Sequence, residues 1–350
     1  MKFNHKSVSF GTKRGKNMSE KGYIPPYTIT DKTVNLISAI TEIITKITIN
    51  DNMSNNPRLQ RDNRIRTIHA SLAIEDNSLT LDQVTDIING KRILGAPDEI
   101  CEVKNAFEAY NKLLEMNPYS VKDMLLAHKV LMNELTKEAG TFRSGGEGVF
   151  AGEQLVHMAP PANQVPHLIK GLIDWARKAE VHPLIKSCVF HYEFEFIHPF
   201  ADGNGRMGRM WQTLLLYKWK PLFGWLPIET LIKESQDEYY KVLGECDHSA
   251  DSGKFVEFLL KAIYDALCEI ADAEQVREQV TEQVEKLLEV ISDKEYSTKE
   301  LMELLGLKHR PTFRDNYLLP ALELGYIEMT VPDKPNSSKQ KYKKVKDIVK

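Results

Sequence analysis

Cysteine is scarce in this chain, which has four among its 350 residues and no C-x-x-C pair. Scattered cysteines indicate free thiols in a reducing compartment, and they exclude a disulfide framework and a cysteine-based zinc site. Long apolar runs are also missing, so no segment is predicted to span a bilayer. The polar, basic stretch at residues 1–16 lacks the apolar core of a signal peptide. These absences predict a cytoplasmic protein with no membrane partner.

Charge of one sign is not in excess either. The formal net charge is -3, which provides no global attraction to nucleic acid or to an anionic membrane. Hydrophobic residues make up 42% of the chain and charged residues 27%, as is usual for a globular protein. A chain of this length has room for one large domain and a small one.

Most of the chain has the apolar spacing of amphipathic helices. Apolar residues recur every three or four positions from Asp31 onward, beginning with Val34, Ile37, Ile40, Ile44 and Ile47. Similar spacing predicts helices over residues 58–74 and, after a capped start at Thr80, through most of the chain up to residue 290. The fold is therefore predicted to be mainly α.

Residues 140–161 interrupt this helical pattern. The segment contains five glycines and two short β-leaning pieces, Val149-Phe150 and Leu155-Val156, and it ends at Pro160-Pro161. This composition predicts a β-hairpin inside a helical domain. A plain surface loop is the other interpretation, whereas a hairpin beside an active site would act as a flap.

Three regions follow from the changes in composition. Residues 1–28 lack periodicity and contain Pro25-Pro26, which predicts a flexible N-terminal arm. Residues 29–280 form the large helical domain. Residues 285–350 have the order helix, turn, helix and two short strands, which is the layout of a winged helix-turn-helix.

Residues 198–209, with the sequence HPFADGNGRMGR, contain most of the groups that can do chemistry. His198-Pro199 must end one helix because a residue before proline disfavours the α region, and Gly205 can begin the next. The loop between them therefore leads into a helix N-terminus. Free amides, the helix dipole and the conformational freedom of Gly203 and Gly205 favour a phosphate at that point.

The charged residues of the same block suit a nucleotide and its metal. Arg206 and Arg209 are bidentate donors for phosphate oxygens. Asp202 supplies one carboxylate, which is enough for a magnesium ion that completes its shell with phosphates and water. His198 has the pKa range of a base that takes a proton from an attacking hydroxyl.

Other interpretations of the block are weaker. Gly203, Gly205 and Gly208 formally match a dinucleotide-binding fingerprint, but that fingerprint requires a preceding strand and the residues here are helical. A tight turn would explain any one residue of the block, but not all of them together. His191 and Glu195 share a helix face, yet no further His or Cys completes a metal site, so they are predicted to pack or to orient neighbours.

The block resembles the signature of the Fic family, H-P-F-x-(D/E)-G-N-G-R-x-x-R, at every position, and the similarity extends over roughly residues 55–260. It implies a Fic core in which His198 deprotonates a target hydroxyl while Asp202 holds Mg²⁺ on ATP. The hairpin is similar to the family's flap, which holds a target backbone as an added strand. The implied nucleotide contacts are Gly203, Asn204, Gly205, Arg206, Gly208, Arg209, Tyr239 and Tyr240. The implied target-binding residues of the flap are Leu155, Val156, His157 and Met158.

An upstream segment, Ser71-Leu72-Ala73-Ile74-Glu75, resembles the family's inhibitory helix motif, (S/T)-x-x-x-E-(G/N). Ser71 and Glu75 are four residues apart and share a helix face. The resemblance implies that Glu75 pairs with Arg209 and blocks the seating of the γ-phosphate. Asp76 stands where the family usually has glycine or asparagine, although Asn77 follows.

The resemblance thus implies a protein adenylyltransferase that moves AMP from ATP onto a Ser, Thr or Tyr hydroxyl of a protein, itself included. Two alternatives stay open: removal of AMP or transfer of another phosphate-linked group on the same fold, and a nucleotide-sensing DNA-binding regulator. The winged helix could bind DNA or protein, and a salt-sensitive gel shift on random duplex discriminates between them. A homodimer is compatible with the sequence, which does not name the target protein.

Overall fold

The computed structural model describes residues 23–49, 57–145, 148–151, 154–292, 294–332, 334–335, 337 and 339–345. Backbone contacts divide the chain into two compact units, with the division after Cys268. That position lies inside a long helix, Gly253–Val290. None of the described helices is long and apolar enough to cross a membrane.

The first unit is built of helices, as predicted. Its helices are α1 Asp31–Ile49, α2 Pro57–Ile74, α3 Leu81–Ile88, α4 Pro97–Leu113, α5 Val121–Leu131, α6 Val165–Lys178, α7 Pro183–Ile197, α8 Asn204–Trp219, α9 Ile228–Glu234, α10 Gln236–Ser249 and α11 Gly253–Val290. Short 3₁₀ turns lie at Ala162–Gln164 and Pro221–Gly224. The mainly α fold class is confirmed.

Helices α7 and α8 form the centre of this unit. Helix α7 starts at Pro183, which needs no N–H at the first helical position, and the His182 side chain caps it by accepting a hydrogen bond from Leu184 N. Both helices are buried over most of their surface. A helix that is buried on most sides is fixed by its packing in the core. The loop that joins α7 to α8 is therefore attached to a fixed helix at each end.

The apolar stripe predicted for α1 is correct at its C-terminal end and wrong at Val34. Ile40, Ile44 and Ile47 are at most 5% exposed, whereas Val34 is 55% exposed. Thr33 is the buried residue of that turn. Periodicity locates a stripe, but the neighbouring elements decide where it is covered.

The part of the predicted N-terminal arm that the structure describes is held in place. The carbonyl of Pro26 accepts hydrogen bonds from the backbone N–H and the hydroxyl of Ser252, both at 3.1 Å. Thr28 donates from its hydroxyl to Asp251 Oδ2 at 2.6 Å. Residues 23–28 are therefore not a flexible arm, because residues distant in sequence satisfy their polar groups. Residues 1–22 lie outside the described residues.

The predicted hairpin is confirmed. Strand β1, Gly148–Ala151, pairs antiparallel with β2, Gln154–Met158, with a register shift between Val149 and Phe150. The side chains of Leu155, Val156 and His157 lie outside the described part of the chain. Met158 is 64% exposed.

The second unit has its own core. It contains α12 Thr298–Leu304, α13 Arg310–Phe313, a π-helical turn Arg314–Leu318, α14 Leu319–Glu323, β3 Ile327–Met329 and β4 Tyr342–Lys344. The two strands pair antiparallel, with Ile327 opposite Lys344. The part of α11 after Cys268 also belongs to this unit. Buried apolar residues from α11, the shorter helices and both strands form one cluster, which includes Leu287, Leu301, Phe313, Ala321 and Tyr342.

The second helix of the predicted helix-turn-helix is present, but it contains an irregular turn. The π-helical turn Arg314–Leu318 separates α13 from α14, and the N–H of Leu319 bonds to the carbonyl of Arg314, five residues back. Pro320 follows at once, and its lack of an N–H prevents a regular α-helical ladder from running through this point. Arg310 and Arg314 are exposed.

Candidate active site

His198 ends α7 in a left-handed conformation. Its φ and ψ are 50° and 61°, and its N–H donates to Phe194 O at 2.9 Å. Few residues other than glycine adopt this conformation, and the following Pro199 disfavours the α region for His198. The helix therefore stops sharply, and the imidazole stands half-buried at the start of the loop.

Arg143 holds this helix end. It donates from Nε to the carbonyl of His198 at 2.6 Å and from Nη2 to the carbonyl of Ile197 at 3.3 Å. The same guanidinium bonds to the carbonyls of Gly145 and Pro160, on either side of the hairpin. A cation that is 3% exposed at a helix C-terminus is stabilised by the helix dipole. Arg143 thus fixes both His198 and the base of the hairpin.

His128 contacts the loop between α7 and α8 at Asp202 and Phe200. Its Nδ1 accepts from Gly140 N at 2.9 Å, so the proton is on Nε2, which donates to the carbonyl of Asp202 at 3.0 Å. The ring stacks on Phe200 with centroids 3.7 Å apart. Burial lowers the pKa of His128 to about 4, although the hydrogen bond to Asp202 acts in the opposite direction. The imidazole is therefore neutral at pH 7.

We expect this neutral histidine to make folding sensitive to acid. The unfolded chain binds a proton at His128 near pH 6.5, whereas the folded chain does so near pH 4. The stabilisation is therefore complete above pH 6.5 and is lost as the pH falls toward 4, by about 3 kcal/mol at 1.4 kcal/mol per pH unit. Urea titrations of the wild type and of His128→Gln between pH 7 and pH 4 measure it. The advantage of the wild type must shrink with acid, and a constant difference would refute a neutral His128.

The side chain of Asn204 closes the loop between α7 and α8. Its Oδ1 accepts from Phe200 N and its Nδ2 donates to Phe200 O, both at 2.8 Å. The side chain is therefore used in closing the loop and is 3% exposed. Both polar atoms of the side chain thus have backbone partners, and the contact of Asn204 with phosphate stays a prediction.

Gly203 is required by the backbone at the start of α8. Its φ is 79°, and a β-carbon there would lie 2.6 Å from Met132 Sδ. Gly90 has nearly the same φ, 78°, with nothing within 4 Å of such a carbon. A comparison of substitutions at Gly203 and Gly90 therefore distinguishes the cost of backbone strain from the cost of crowding.

We expect Gly203→Ala to lower the free energy of unfolding more than Gly90→Ala does. The left-handed conformation costs alanine about 1 to 2 kcal/mol at both positions. Crowding against Met132 adds a further cost of about 1 to 2 kcal/mol at Gly203 alone. Urea titrations of the two variants measure the difference. Equal losses would show that Met132 moves aside freely.

The two other glycines of the block face different neighbours. A β-carbon on Gly205 would collide with Glu75 Oε1, whereas one on Gly208 would collide with Glu195 Oε1. Gly205 thus leaves room for a carboxylate at the first turn of α8. Gly208 allows α7 and α8 to pack closely, and its predicted contact with a nucleotide stays a prediction.

Arg209 is surrounded by residues of α2. Its Nη2 donates to Glu75 Oε1 at 2.7 Å and to Ser71 O at 2.9 Å, and its Nε donates to Ser71 Oγ at 3.1 Å. The guanidinium is 1% exposed and the Glu75 carboxylate 31% exposed. The contact expected between Glu75 and Arg209 is therefore present, and Ser71 adds two further hydrogen bonds.

The electrostatics of Arg209 keep it charged. Burial on its own would lower the pKa of Arg209, but the charges of Glu75 and Tyr239 raise it above its ordinary value. Among the described residues, Nη1 has no hydrogen-bond partner. A buried cation with a spare N–H, beside the first turn of a helix, is suited to bind an anion.

Arg206 lies between two carboxylates. Its Nη1 donates to Glu102 Oε1 at 2.7 Å and its Nη2 to Asp202 Oδ1 at 3.1 Å. The Glu102 contact was missed because Glu102 is 104 positions away in the sequence and belongs to no recognisable motif. Arg206 is thus oriented on the protein before any ligand binds.

The Asp202 carboxylate fits a magnesium ion that binds together with phosphates. Its Oδ1 accepts from Gly203 N at 2.5 Å, and the side chain is 58% exposed. No cluster of three or more His, Cys, Asp or Glu side chains in the described part of the chain could bind a metal without a nucleotide. One accessible carboxylate that is fixed by a backbone amide matches the donor set of Mg²⁺ on a nucleotide.

His191 and Glu195 pack and orient, as predicted. His191 is fully buried, with Nδ1 2.7 Å from Gln212 Oε1 and Nε2 3.3 Å from the hydroxyl of Tyr239. Burial lowers the pKa of His191 to about 3. Burial likewise raises the pKa of Glu195 to about 8, which Glu75 reinforces and Arg209 opposes.

The structure separates the two tyrosines predicted near the adenosine. Tyr239 is 1% exposed and packs against Phe255, with ring centroids 5.7 Å apart. Tyr240 is 36% exposed. Successive residues of a helix point about 100° apart, so only one of the pair reaches the surface. Tyr239 is therefore a core residue in this structure, and Tyr240 alone is accessible to a ligand.

Sequence reasoning also missed the residues that hold the C-terminal end of α2. Lys233 donates to the carbonyl of Ala73 at 2.7 Å, and Gln236 donates from Nε2 to the carbonyl of Ile74 at 2.9 Å. A lysine at a helix C-terminus satisfies free carbonyls and interacts favourably with the dipole. Only the position of α9 in the fold reveals this role.

Comparison with known proteins agrees with this geometry. The model of the Fic/DOC family matches residues 118–216, and the model described as "Filamentation induced by cAMP protein Fic-like, C-terminal domain" matches residues 282–344. The protein adenylyltransferase Fic of Nematostella vectensis is 28% identical over 206 residues, which are 55% of this chain and 45% of that protein. The one of Drosophila willistoni is 28% identical over 213 residues, 58% and 40% respectively. The chain thus spans less than half the length of these relatives.

Solved structures extend the likeness to as much as 94% of the chain. A fragment of Fic-1 from C. elegans is 23% identical with a TM-score of 0.57, and the match covers 70% of this chain and 72% of that one, which shows the fold alone. The crystal structure of a Fic family protein from Desulfovibrio desulfuricans G20 has 54% identity and a TM-score of 0.72. That match covers 94% of this chain and 100% of the other. With more than half of the residues identical over nearly its full length, the chain belongs to the Fic family.

Proposed function

We propose that this protein is an adenylyltransferase that transfers AMP from ATP to a protein hydroxyl and that Glu75 holds it in an inhibited state. One observation carries the proposal. The Glu75 carboxylate already occupies an anion position, bonded to Arg209 and lying against Gly205 in the first turn of α8. The same position suits a phosphate when the carboxylate leaves. The relatives named as protein adenylyltransferases support the choice of chemistry.

The transfer would follow from the residues around the loop. His198 takes the proton of the target hydroxyl, whose oxygen then bonds to the α-phosphorus as the bond to the pyrophosphate leaving group breaks. Arg206 and Arg209 neutralise charge on the phosphates, together with the amides at the start of α8. Positioning and electrostatic stabilisation supply most of the acceleration in reactions of this kind.

A magnesium ion completes the proposed site. Asp202 would hold it, and the ion would neutralise charge on the phosphates of ATP. Arg206 limits where the carboxylate can point, because it holds Asp202 Oδ1. The requirement can be tested separately from catalysis, since Asp202→Ala should weaken magnesium-dependent nucleotide binding.

The β1–β2 hairpin supports a protein as the acceptor. The Arg143 side chain donates both to the carbonyl of His198 and to the carbonyl of Pro160 at the base of the hairpin, so it ties the hairpin to the end of α7. An extended target segment that pairs with the hairpin would therefore be held at a constant distance from the base. Recognition by added strand pairing reads the main chain more than the side chains, so the protein's own polypeptide is included among the acceptors.

Mass spectrometry of the Glu75→Gly protein after incubation with each nucleoside triphosphate and Mg²⁺ tests the proposal. A mass increase equal to AMP, found with ATP, is the expected result, and the modified fragment identifies the acceptor. Another added group would indicate transfer of a different phosphate-linked moiety. No added mass with any nucleotide, on the protein itself or on a lysate of acceptor proteins, would reject the transferase.

A further inference from the structure

One carboxylate joins the end of the inhibitory helix to the catalytic loop. Glu102 on α4 accepts from Arg206 Nη1 with Oε1 at 2.7 Å and from Asn77 Nδ2 with Oε2 at 2.8 Å. Arg206 in turn contacts Asp202. Four residues from three separate parts of the chain, Asn77, Glu102, Arg206 and Asp202, therefore form one continuous polar chain.

The contacts of Asn77 depend on the position of the C-terminal end of α2. It lies two residues after Glu75, beyond Asp76, whose φ of 66° ends the helix. Its Oδ1 accepts from Leu79 N at 3.1 Å, so its Nδ2 faces α4, where it donates to Glu102 Oε2 at 2.8 Å and to Glu99 O at 3.3 Å. With 8% exposure and a backbone N–H bonded to Leu72 O, Asn77 moves only if the helix end moves.

The charges make this connection stronger than an ordinary surface contact. Glu102 is 19% exposed and the Arg206 side chain 6% exposed, so solvent screens the pair only partly. Hydrogen bonds to a charged group stabilise a structure more than neutral hydrogen bonds do. The bond from Asn77 to Glu102 therefore restrains the same helix end that presents Glu75.

We propose that Asn77 and Glu102 form a second latch, which holds the inhibitory helix on the signature loop in addition to the Glu75–Arg209 ion pair. Breaking this latch frees the helix end even though Glu75 is intact. Its effect on AMP transfer rests on the function proposed above, whereas its effect on the mobility of the helix end does not.

Hydrogen exchange of the backbone amides of Glu75, Asp76 and Asn77 tests the latch without any assay of activity. Asn77→Asp keeps the acceptor for Leu79 and replaces the donor to Glu102 by a like charge. We expect exchange to become about 10-fold faster, the size of effect that one hydrogen bond to a partly screened charge provides. Asn105→Asp is the matched control, because Asn105 is 7% exposed on the same helix as Glu102 and donates to Asn133 O.

Glu102→Gln is the second variant, and it applies if Asn77→Asp does not fold. The side-chain amide that Glu102→Gln introduces has only one acceptor oxygen, so its NH₂ group would face either Arg206 Nη1 or Asn77 Nδ2 and lose that hydrogen bond. Glu102→Gln should therefore also speed hydrogen exchange at residues 75–77. Unchanged exchange at residues 75–77 in every variant that folds would overturn the latch. An equal increase in Asn105→Asp would overturn it as well, since the effect would then be general loosening.

Incorporation of labelled AMP then tests the consequence. Asn77→Asp should raise basal incorporation by about 3- to 10-fold in the otherwise wild-type chain and should add nothing to Glu75→Gly, which is already released. A comparable increase in the Glu75→Gly background would place the effect of Asn77 outside the latch and overturn the proposal. Faster exchange without AMP transfer by any variant, Glu75→Gly included, would leave the latch intact and reject the transferase.

Discussion

We expect the Glu75→Gly protein to incorporate on the order of 10- to 100-fold more AMP into itself than the wild type does, which is the usual range of coupling between an inhibitory element and a site. The reason is that the Glu75 carboxylate already binds the guanidinium of Arg209 in the wild type. In the wild type its Nη2 bonds to Glu75 Oε1 at 2.7 Å, and the carboxylate lies against Gly205 at the start of α8. Removing the carboxylate opens the position for a phosphate and leaves a buried cation that attracts one. Incorporation of labelled AMP from ATP and Mg²⁺ is the measurement.

A thermal readout accompanies this prediction. Loss of Glu75 leaves Arg209 with the Ser71 contacts alone, so the Glu75→Gly protein should be less stable in the absence of nucleotide. ATP with Mg²⁺ should then raise the melting temperature of Glu75→Gly more than that of the wild type, because the nucleotide binds the released form better. An equal shift for both proteins would indicate that Glu75 does not compete with the nucleotide.

Asp76→Gly is the matched control for Glu75→Gly. Asp76 is the neighbouring acidic residue, is exposed, and has a φ of 66° that glycine adopts without strain. The substitution also restores the residue that the family motif usually has after its glutamate. We expect no activation from it. Activation by Asp76→Gly as large as that by Glu75→Gly would show that loosening the helix end is sufficient and that the carboxylate of Glu75 is not the brake.

We expect His198→Ala to reduce AMP transfer by about 100- to 10,000-fold in the Glu75→Gly background, which is the usual contribution of a general base. Nucleotide binding should stay close to that of the parent, because the phosphate-binding groups lie on the other side of the loop and on α8. The side chain of Asn204 and the carbonyl of Asp202 hold the loop through contacts that do not involve the imidazole of His198. The loss should therefore be in kcat and not in the affinity for ATP.

Two comparisons make this result specific. His248→Ala removes an exposed histidine at the end of α10 and should keep full activity. Titration with a non-hydrolysable ATP analogue should give the same Kd for His198→Ala and its parent. Transfer at the parental rate would remove His198 from the role of base, and a large rise in Kd would indicate a binding role. A nucleotide sensor without catalysis would keep its output after this substitution, which distinguishes that alternative.

Local features of the chain could be predicted because short-range physics decides them. The capping box at Thr80 is present, with reciprocal bonds between Thr80 and Gln83. The glycine-rich segment forms the hairpin, and His198-Pro199 ends α7. In each case the residues that determine the structure are close together in the sequence, so spacing and backbone preference are enough.

Predictions failed where an environment had to be known. Val34 has the right spacing for the stripe of α1, yet its side chain is 55% exposed among the described residues. The sequence also did not indicate that Asn204 closes its own loop or that Gly208 allows α7 to pack closely on α8. Tyr239 is buried and Tyr240 is accessible. Sequence patterns identify the chemistry that a side chain carries, whereas packing decides which way it faces.

The sequence by itself therefore determined the reactive loop, since His198, Asp202 and both arginines lie within one stretch of the chain. Only the tertiary structure decided the state of that loop. It brings Glu75 to Arg209 across 134 positions and Glu102 to Arg206 across 104. Contacts over such separations depend on how α2 and α4 pack against α8, and ridges-into-grooves packing is not encoded in any local pattern. The chemistry is thus local, and its restraint is a property of the fold.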